Sequence, residues 1–365
     1  MKKVLSLLFV AMFFVTSMSV PANAQTDLTT GTENFINSAL MNGNGTLATY
    51  LVEQQSIDPD FAAGRESLSE SMGLMMMYLA QKGDRVTFAK YYQELKQYYL
   101  SNQTNIVYWK LSNDGNTHAT MNAIIDDWRI ADALFMAGEA WNNKTYIQTA
   151  LDISNALNKY NQKQKHFVDF YDEQYKVNND TISLFYIDPV ALNYMVKYGV
   201  IDSTMYNRMV AVLRKSAGDG PFFPQNYNVR TKAYQYNDQV NLIEQIYTAY
   251  FRKQAGINSP AFYSFLKKEF NTNGVIYGQY GRVTRQPAVD FESNAVYGMT
   301  ILYALQMNDV TFAKKVYKRM KEYEIVDVKN PYYGGYVVLT PTGYDTHIFD
   351  NLFPLLAKQQ LEKLY

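Results

Sequence analysis

The chain contains no cysteine and only three histidines among its 365 residues. Without cysteine it can form no disulfide, no thiolate nucleophile and no thioether-linked lipid anchor. His118, His166 and His347 are too widely separated for the ligand spacing of a zinc site. The sequence also lacks a P-loop, a dinucleotide fingerprint and a Gly-x-Ser-x-Gly elbow. We therefore predict an activity that uses neither a metal ion nor a cofactor.

Basic runs and long apolar runs are equally scarce. The formal net charge is zero, and no basic stretch is long enough to follow a phosphate backbone, which argues against a nucleic-acid partner. One long apolar run, residues 4–20, follows Lys2 and Lys3 and precedes an Ala-x-Ala site that ends at Ala24. This pattern is typical of a secretory signal peptide, and an uncleaved membrane anchor is the alternative. We expect cleavage after Ala24 and a secreted or cell-wall-associated protein that is not inserted in a membrane.

Helical periodicity dominates the remaining residues, 25–365. The most apolar segment is residues 67–81, in which Leu68, Met72, Met75 and Leu79 recur at helical spacing. About a dozen such segments follow one another through short loops, alternately apolar and amphipathic. That alternation is typical of stacked helical hairpins.

An internal repeat strengthens this interpretation. The word VTFAK occurs at residues 86–90 and again at 310–314, each time after an apolar helix and an Asp-containing break. No linker rich in Gly, Ser or Pro divides the chain. We therefore predict a single all-α domain over residues 25–365, a closed ring of six helical hairpins, and a monomer.

Glu70 is the most conspicuous polar residue, because it enters a helix that is apolar nearly all round. A buried carboxylate is costly unless it is paired, hydrated in a cleft or protonated. The alternative is that Glu66 or Glu70 only favours the helix N-terminus. Glycosidic hydrolysis needs one neutral acid for the leaving oxygen and one base for water, so a protonated Glu70 would suit that chemistry.

Three segments in order resemble motifs of glycoside hydrolase family 8. Residues 69–76, SESMGLMM, are similar to the acid motif S-E-G-Q-G-Y-G-M. Residues 123–131, AIIDDWRIA, are similar to A-[ST]-D-[AG]-D-x-x-[IM]-A, and residues 236–241, YNDQVN, to Y-D-A-x-R. The resemblance implies an (α/α)6 barrel, with Glu70 as general acid and Asp238 as general base.

The resemblance also implies how sugar would be held. Asp127, together with Asp126, would bind a sugar hydroxyl near the cut. Aromatic platforms for sugar rings are implied at four positions: Trp109, Trp128, Tyr186 and Tyr236. Purely structural roles stay open beside these, because acidic and basic residues three apart also form ion-pair ladders on helices, Asp238 could be an N-cap, and the tryptophans could belong to the core.

Departures from the family pattern indicate a divergent branch. Ile125 stands where the family has its first motif aspartate, Ser71 and Met75 replace two glycines, and Asn241 replaces an arginine. We therefore predict an inverting, endo-acting hydrolase of a β-linked polysaccharide other than cellulose, such as the exopolysaccharide of a biofilm matrix. The alternatives are a non-catalytic glycan-binding protein on the same scaffold and, with less support, a polysaccharide lyase.

Overall fold

The computed structural model describes residues 27–54, 61–216, 218, 220–341 and 343–364. The predicted signal peptide, residues 1–24, lies outside this part of the chain. The predicted helix over residues 67–81 corresponds to α2, and the predicted dozen helical segments agree with the twelve α-helices found in the described residues. The helices are α1 Thr30–Ala39, α2 Ser69–Lys82, α3 Arg85–Glu94, α4 Ile124–Trp141, α5 Lys144–Tyr160, α6 Pro189–Lys197, α7 Ser203–Lys215, α8 Leu242–Gln254, α9 Pro260–Asn273, α10 Asn294–Gln306, α11 Val310–Lys321 and α12 Phe349–Glu362.

The even-numbered helices form a closed inner ring. Helices α2, α4, α6, α8, α10 and α12 contact one another in that order, and α12 returns to contact α2. All six line one axial cavity, while the odd-numbered helices lie outside them. The predicted (α/α)6 barrel is confirmed.

Close packing between α10 and α12 depends on a glycine. A Cβ atom on Gly298 would lie 2.5 Å from the carbonyl carbon of Phe353 and 2.8 Å from the nitrogen of Pro354. These distances are shorter than real carbon contacts, so a side chain here would force the two helices apart. The sequence places glycine at this contact between two inner helices.

The repeated word VTFAK has the same structural role in both copies. It forms the start of the outer helices α3 and α11. Asp84 Oδ1 accepts a hydrogen bond from the Thr87 backbone N–H at 3.0 Å, and Asp309 Oδ1 accepts one from Phe312 at 3.0 Å. The Asp residue caps the helix in each case, and the phenylalanine of each repeat is buried.

The loops between helices contain short antiparallel sheets, which the sequence does not predict. Strand β1 leads directly into α2 and β10 leads directly into α8, so these sheets position the first turns of inner helices. Strands of two or three residues are too short to show an alternating pattern in the sequence. The strands are β1 Ser67–Leu68, β2 Lys110–Leu111, β3 Gln162–Lys163, β4 His166–Phe167, β5 Tyr171–Asp172, β6 Val177–Asn178, β7 Thr181–Ser183, β8 Asn226–Asn228, β9 Ala233–Gln235, β10 Gln239–Asn241, β11 Gln279–Gly281, β12 Val338–Thr340 and β13 Gly343–Asp345.

The two ends of the barrel differ. Residues from the first turns of α2 and α4 line a cleft at one end, which we call the front. Residues from the last turns of α2, α8, α10 and α12 line a cavity that opens at the other end, the rear. Among the described helices, none combines the length and the hydropathy needed to cross a membrane.

Candidate active site

The front cleft has a volume of about 180 Å³ and contains the residue singled out by the sequence, Glu70. Its wall combines two carboxyl groups, one guanidinium group, four aromatic rings and small aliphatic groups. The lining residues are Leu68, Glu70, Trp109, Ala123, Ile125, Asp126, Arg129, Phe185, Tyr186 and Tyr247. The structure thus brings together Glu70, Asp126, Trp109 and Tyr186 of the predicted site residues.

The β1–β2 pair places Trp109 beside Glu70. Leu68 pairs with Lys110 across this short sheet, and the Ser69 backbone N–H donates to the Trp109 carbonyl at 3.0 Å. Helix α2 begins at Ser69, so Glu70 lies in its first turn directly beside that pairing. Local backbone pairing, rather than sequence proximity, joins these two residues.

Glu70 is held mainly in its neutral form. Its side chain is 28% exposed, and that exposed part faces the cleft. Burial raises the pKa of Glu70 to about 8, while the nearby Arg129 lowers it and Asp126 raises it. Desolvation outweighs the guanidinium because it disfavours the charged carboxylate directly. At pH 7 Glu70 therefore carries a proton that it can donate.

Asp126 and Arg129 form the charged floor beside Glu70. Asp126 accepts hydrogen bonds from the Ser69 hydroxyl at 2.6 Å and from Arg129 Nη1 at 3.0 Å. Arg129 Nη2 donates to the Tyr247 hydroxyl at 3.2 Å and lies 3.6 Å from Glu70 Oε1. Burial opposes the charge of Arg129, but Tyr247, Glu70 and Asp126 together raise the pKa of Arg129 above its usual range.

The sequence pattern indicates Arg129 only as a helical ion-pair partner, and it does not identify Tyr247 or Phe185. The pairing with Asp126 three residues earlier is present, but Asp132 does not take part in it. Gly73 is a sequence feature that could have indicated the position of Arg129, because a Cβ atom on Gly73 would lie 3.1 Å from Arg129 Cδ. A glycine one turn after Glu70 leaves room for the guanidinium stem to cross α2.

Asp127 does not reach the cleft, so the prediction that it binds a sugar hydroxyl is wrong. Its side chain is fully buried. Oδ1 accepts a hydrogen bond from the Val107 backbone N–H at 2.9 Å, and Oδ2 accepts one from Asn122 Nδ2 at 3.1 Å. The carboxylate therefore holds the loop before β2 against the first turn of α4.

The prediction that Trp128 stacks against a sugar ring is also wrong. It has no exposed surface and packs edge-on against Phe167, with ring centroids 5.3 Å apart. Trp109 and Tyr186, by contrast, are partly exposed and line the cleft. Their roles in stacking against sugar rings stay predictions.

The structure places Asp238 and Tyr236 on an exposed loop just before β10, and neither lines the cleft around Glu70. The Asp238 carbonyl accepts a hydrogen bond from the Arg282 backbone N–H at 2.8 Å. The Arg282 guanidinium lies 5.2 Å from the centre of the Tyr236 ring. Because β10 leads into α8, whose Tyr247 is a cleft residue, this loop belongs to the rim of the front end. The role of Asp238 as base and that of Tyr236 in sugar binding stay predictions.

The two tryptophans should respond differently to truncation. We expect Trp128→Ala to lower the free energy of unfolding by about 3–5 kcal/mol, because it empties a fully buried volume. Trp109→Ala should lower the free energy of unfolding by less, because Trp109 is already partly exposed, and it should raise KM by removing part of the cleft wall. Denaturant unfolding and steady-state kinetics measure both effects. Equal losses of stability in the two variants would contradict this assignment.

Comparison with known proteins gives a family. A model of the family described as "Glycosyl hydrolases family 8" matches residues 5–175. A Bacillus subtilis (strain 168) protein named "Putative lipoprotein YdaJ" is 37% identical over 330 residues, which cover 90% of this chain and 86% of the relative.

Two solved structures share the fold over nearly their whole length. One is an alpha-amylase from Clostridium perfringens, with a TM-score of 0.83 and 23% identity, covering 93% of this chain and 99% of that one. The other is PssZ from Listeria monocytogenes, with a TM-score of 0.73 and 25% identity, covering 92% and 96%. The family match and the Bacillus subtilis relative agree with a cleft that contains a neutral glutamic acid. The chain therefore belongs to glycosyl hydrolase family 8 and is a glycoside hydrolase.

Proposed function

We propose that this enzyme is an inverting, endo-acting hydrolase of a β-linked polysaccharide, most specifically a bacterial exopolysaccharide. Glu70 is the general acid in this proposal, and Asp238 is the general base. The observation that carries it is a glutamic acid whose pKa burial raises to about 8, facing an aromatic-walled cleft. A carboxyl group that stays neutral near pH 7 is the form that protonates a leaving glycosidic oxygen.

The chemical step needs two proton transfers. Glu70 gives its proton to the oxygen of the departing sugar, and water attacks the anomeric carbon from the opposite face. Asp238 takes the proton of that water. Because the water attacks from the face opposite the leaving oxygen, the configuration at the anomeric carbon inverts. The polymer would lie between Glu70 and the rim loop at residues 236–241, which leaves space for water on the Asp238 side.

The cleft wall supports a sugar polymer as substrate. Trp109, Phe185 and Tyr186 present aromatic surface beside the acid, and aromatic rings pack well against the apolar faces of sugars. Ile125, in place of the family aspartate, puts an aliphatic group where a sugar hydroxyl would otherwise be bound. We take this exchange as the reason to expect a sugar other than the glucose units of cellulose.

We further propose that residues 1–24 are removed on export and that residues 25–365 act as one catalytic unit. The Bacillus subtilis relative is named as a lipoprotein. A bacterial lipoprotein carries its lipid on cysteine, and this sequence has none. We therefore expect a protein that is released, or held at the cell wall without a lipid.

Reducing-end release from a panel of polymers tests the substrate class. The panel contains cellulose, mixed-linkage β-glucan, chitosan, native and N-acetylated bacterial exopolysaccharides, and starch. Starch is included because one fold relative is an alpha-amylase, although a structure with 23% identity shares only the fold. Proton NMR of the first product reports the anomeric configuration. Cleavage of an exopolysaccharide with inversion would support the proposal, whereas cleavage of starch alone, or binding without cleavage, would contradict it.

The base is tested by Asp238→Asn. We expect kcat to fall by a factor of about 10² to 10⁴, the usual contribution of a general base. Asp327→Asn makes the same chemical change at an exposed loop residue and should leave kcat unchanged. Full activity in Asp238→Asn would reject Asp238 and leave the assignment of Glu70 standing.

A further inference from the structure

The rear of the barrel contains a second and larger cavity. It has a volume of about 760 Å³ and is lined by all six inner helices. Arg129 and Tyr247 line both this rear cavity and the front cleft, so the bond between them separates the two spaces. The rear cavity has the size of a small-molecule site and lies outside the proposed path of the polymer.

The walls of the rear cavity are mainly apolar. Side chains from four inner helices supply aliphatic, thioether and aromatic surface, including Leu74, Met136, Met299, Leu302, Phe353 and Leu356. Amide side chains from the last helical turns, such as Gln81 and Gln254, stand towards the opening. The arrangement fits a ligand with an apolar body.

A buried carboxyl group lies at the inner end. Asp132 is only 2% exposed, and its Oδ1 has no hydrogen-bond partner in the described part of the chain. Asp188 is close enough to act on it electrostatically, although Asp188 Oδ1 also caps α6 by accepting from the Val190 N–H at 2.8 Å. Burial and Asp188 raise the pKa of Asp132 well above its usual range. An unpaired buried carboxyl is costly, so a partner that satisfies it would be bound favourably.

The charges along the barrel axis leave room for one more cation. At the inner end of the rear cavity, Asp132 and Asp188 share one guanidinium, that of Arg129, while the other cationic side chain of the lining, Lys363, directly follows α12 at the opening. That guanidinium is already hydrogen-bonded to Asp126 and to the Tyr247 hydroxyl. No group of three acidic or histidine side chains in the described residues could hold a metal ion. Apolar walls also favour an organic cation over a hydrated one.

We propose that the rear cavity binds an amphipathic organic monocation, with an ammonium head on Asp132 and an alkyl body along the apolar wall. The head group places a positive charge beside the carboxyl groups of Asp132 and Asp188, and its N–H groups donate hydrogen bonds to the unpartnered Asp132 oxygen. The alkyl body displaces water from aliphatic surface, which favours binding through the hydrophobic effect.

Titration calorimetry of the full chain with three probes tests this proposal: n-hexylammonium, n-hexanol and methylammonium. We expect hexylammonium to bind about tenfold or more tightly than either of the other two, because only it has both the head and the body. Asp132→Asn should weaken hexylammonium binding about tenfold and change hexanol binding by less than about twofold. Asp152→Asn, the same change on the outer helix α5, should alter neither.

Two further variants locate the binding. Leu302→Trp fills the rear cavity from α10 and should abolish the binding of hexylammonium and of hexanol, whether or not Asp132→Asn folds. Glu70→Gln removes the acid of the front cleft and should leave hexylammonium binding unchanged. Equal affinity for hexanol and hexylammonium, unchanged affinity in Asp132→Asn, or loss of binding in Glu70→Gln would each overturn the proposal.

Discussion

Glu70→Gln should lower kcat by about 10³-fold with little change in KM, because the amide keeps the shape of the neutral acid but has no proton to give. Burial already favours the uncharged side chain, so the variant should fold at least as well as the wild type. Steady-state kinetics on the polymer identified by the panel measures both constants, and thermal unfolding checks the fold.

Glu94→Gln is a matched control for this variant. Glu94 lies on the outer helix α3, and burial raises its pKa to about 7. One of its oxygens is buried and has no hydrogen-bond partner among the described residues. Glu94 is absent from the lining of the front cleft. The same exchange at this position should leave kcat unchanged. If the two variants lost activity equally, the loss would be a general consequence of substituting a buried glutamate, and the catalytic role of Glu70 would be rejected.

Arg129→Met should lower the free energy of unfolding by about 3 kcal/mol, because it removes the cation from a buried group of acids. Asp126 would lose the hydrogen bond at 3.0 Å, and Glu70 would lose the guanidinium that now lowers its pKa. The Tyr247 hydroxyl would also lose its donor. Urea unfolding measures the change.

The loss in Arg129→Met should grow with pH. The folded-state pKa of Glu70, about 8, already lies above the ordinary value of 4.5, so its burial costs stability progressively as pH rises between them. Without Arg129 that pKa is higher still, and the cost continues to grow above pH 8. The difference from wild type should therefore be larger at pH 9 than at pH 6.

Arg230→Met provides the comparison for this measurement. Arg230 is 61% exposed and lies 3.2 Å from Asp180, so its removal should cost less than about 1 kcal/mol at either pH. A loss in Arg129→Met as small as that of Arg230→Met, or one that did not depend on pH, would show that the acids beside Arg129 do not need it.

Periodicity was sufficient to predict the barrel, and the chemistry of a buried acid was sufficient to single out Glu70. Neither could assign the neighbours on α4. Successive residues on a helix point about 100° apart, so Asp126 and Arg129 face the cleft while Asp127 and Trp128 turn into the core. The family motif gives these residues as one string. Only the packing of α4 against its neighbours decides which of them meet a substrate.

The contacts of Tyr247 and Trp109 in the cleft, and the position of the rim loop, were harder to predict for a different reason. Tyr247 meets Arg129 across 118 positions of sequence, and Trp109 is brought to Glu70 by a sheet of two-residue strands. Contacts of this range leave no periodic signal. The exposed loop that holds Asp238 likewise gives no pattern from which its distance to Glu70 could be inferred.

The pH dependence of kcat/KM for the wild type and for Glu70→Gln tests the central claim most directly. This constant reports the ionisation of the free enzyme, and the acid must be protonated to act. We predict that activity falls as pH rises through about 8, the pKa of Glu70, and that this alkaline limb is absent from the residual activity of Glu70→Gln. An alkaline limb that persisted at the same pH in Glu70→Gln, or a wild-type limb near pH 5, would show that another group is the acid.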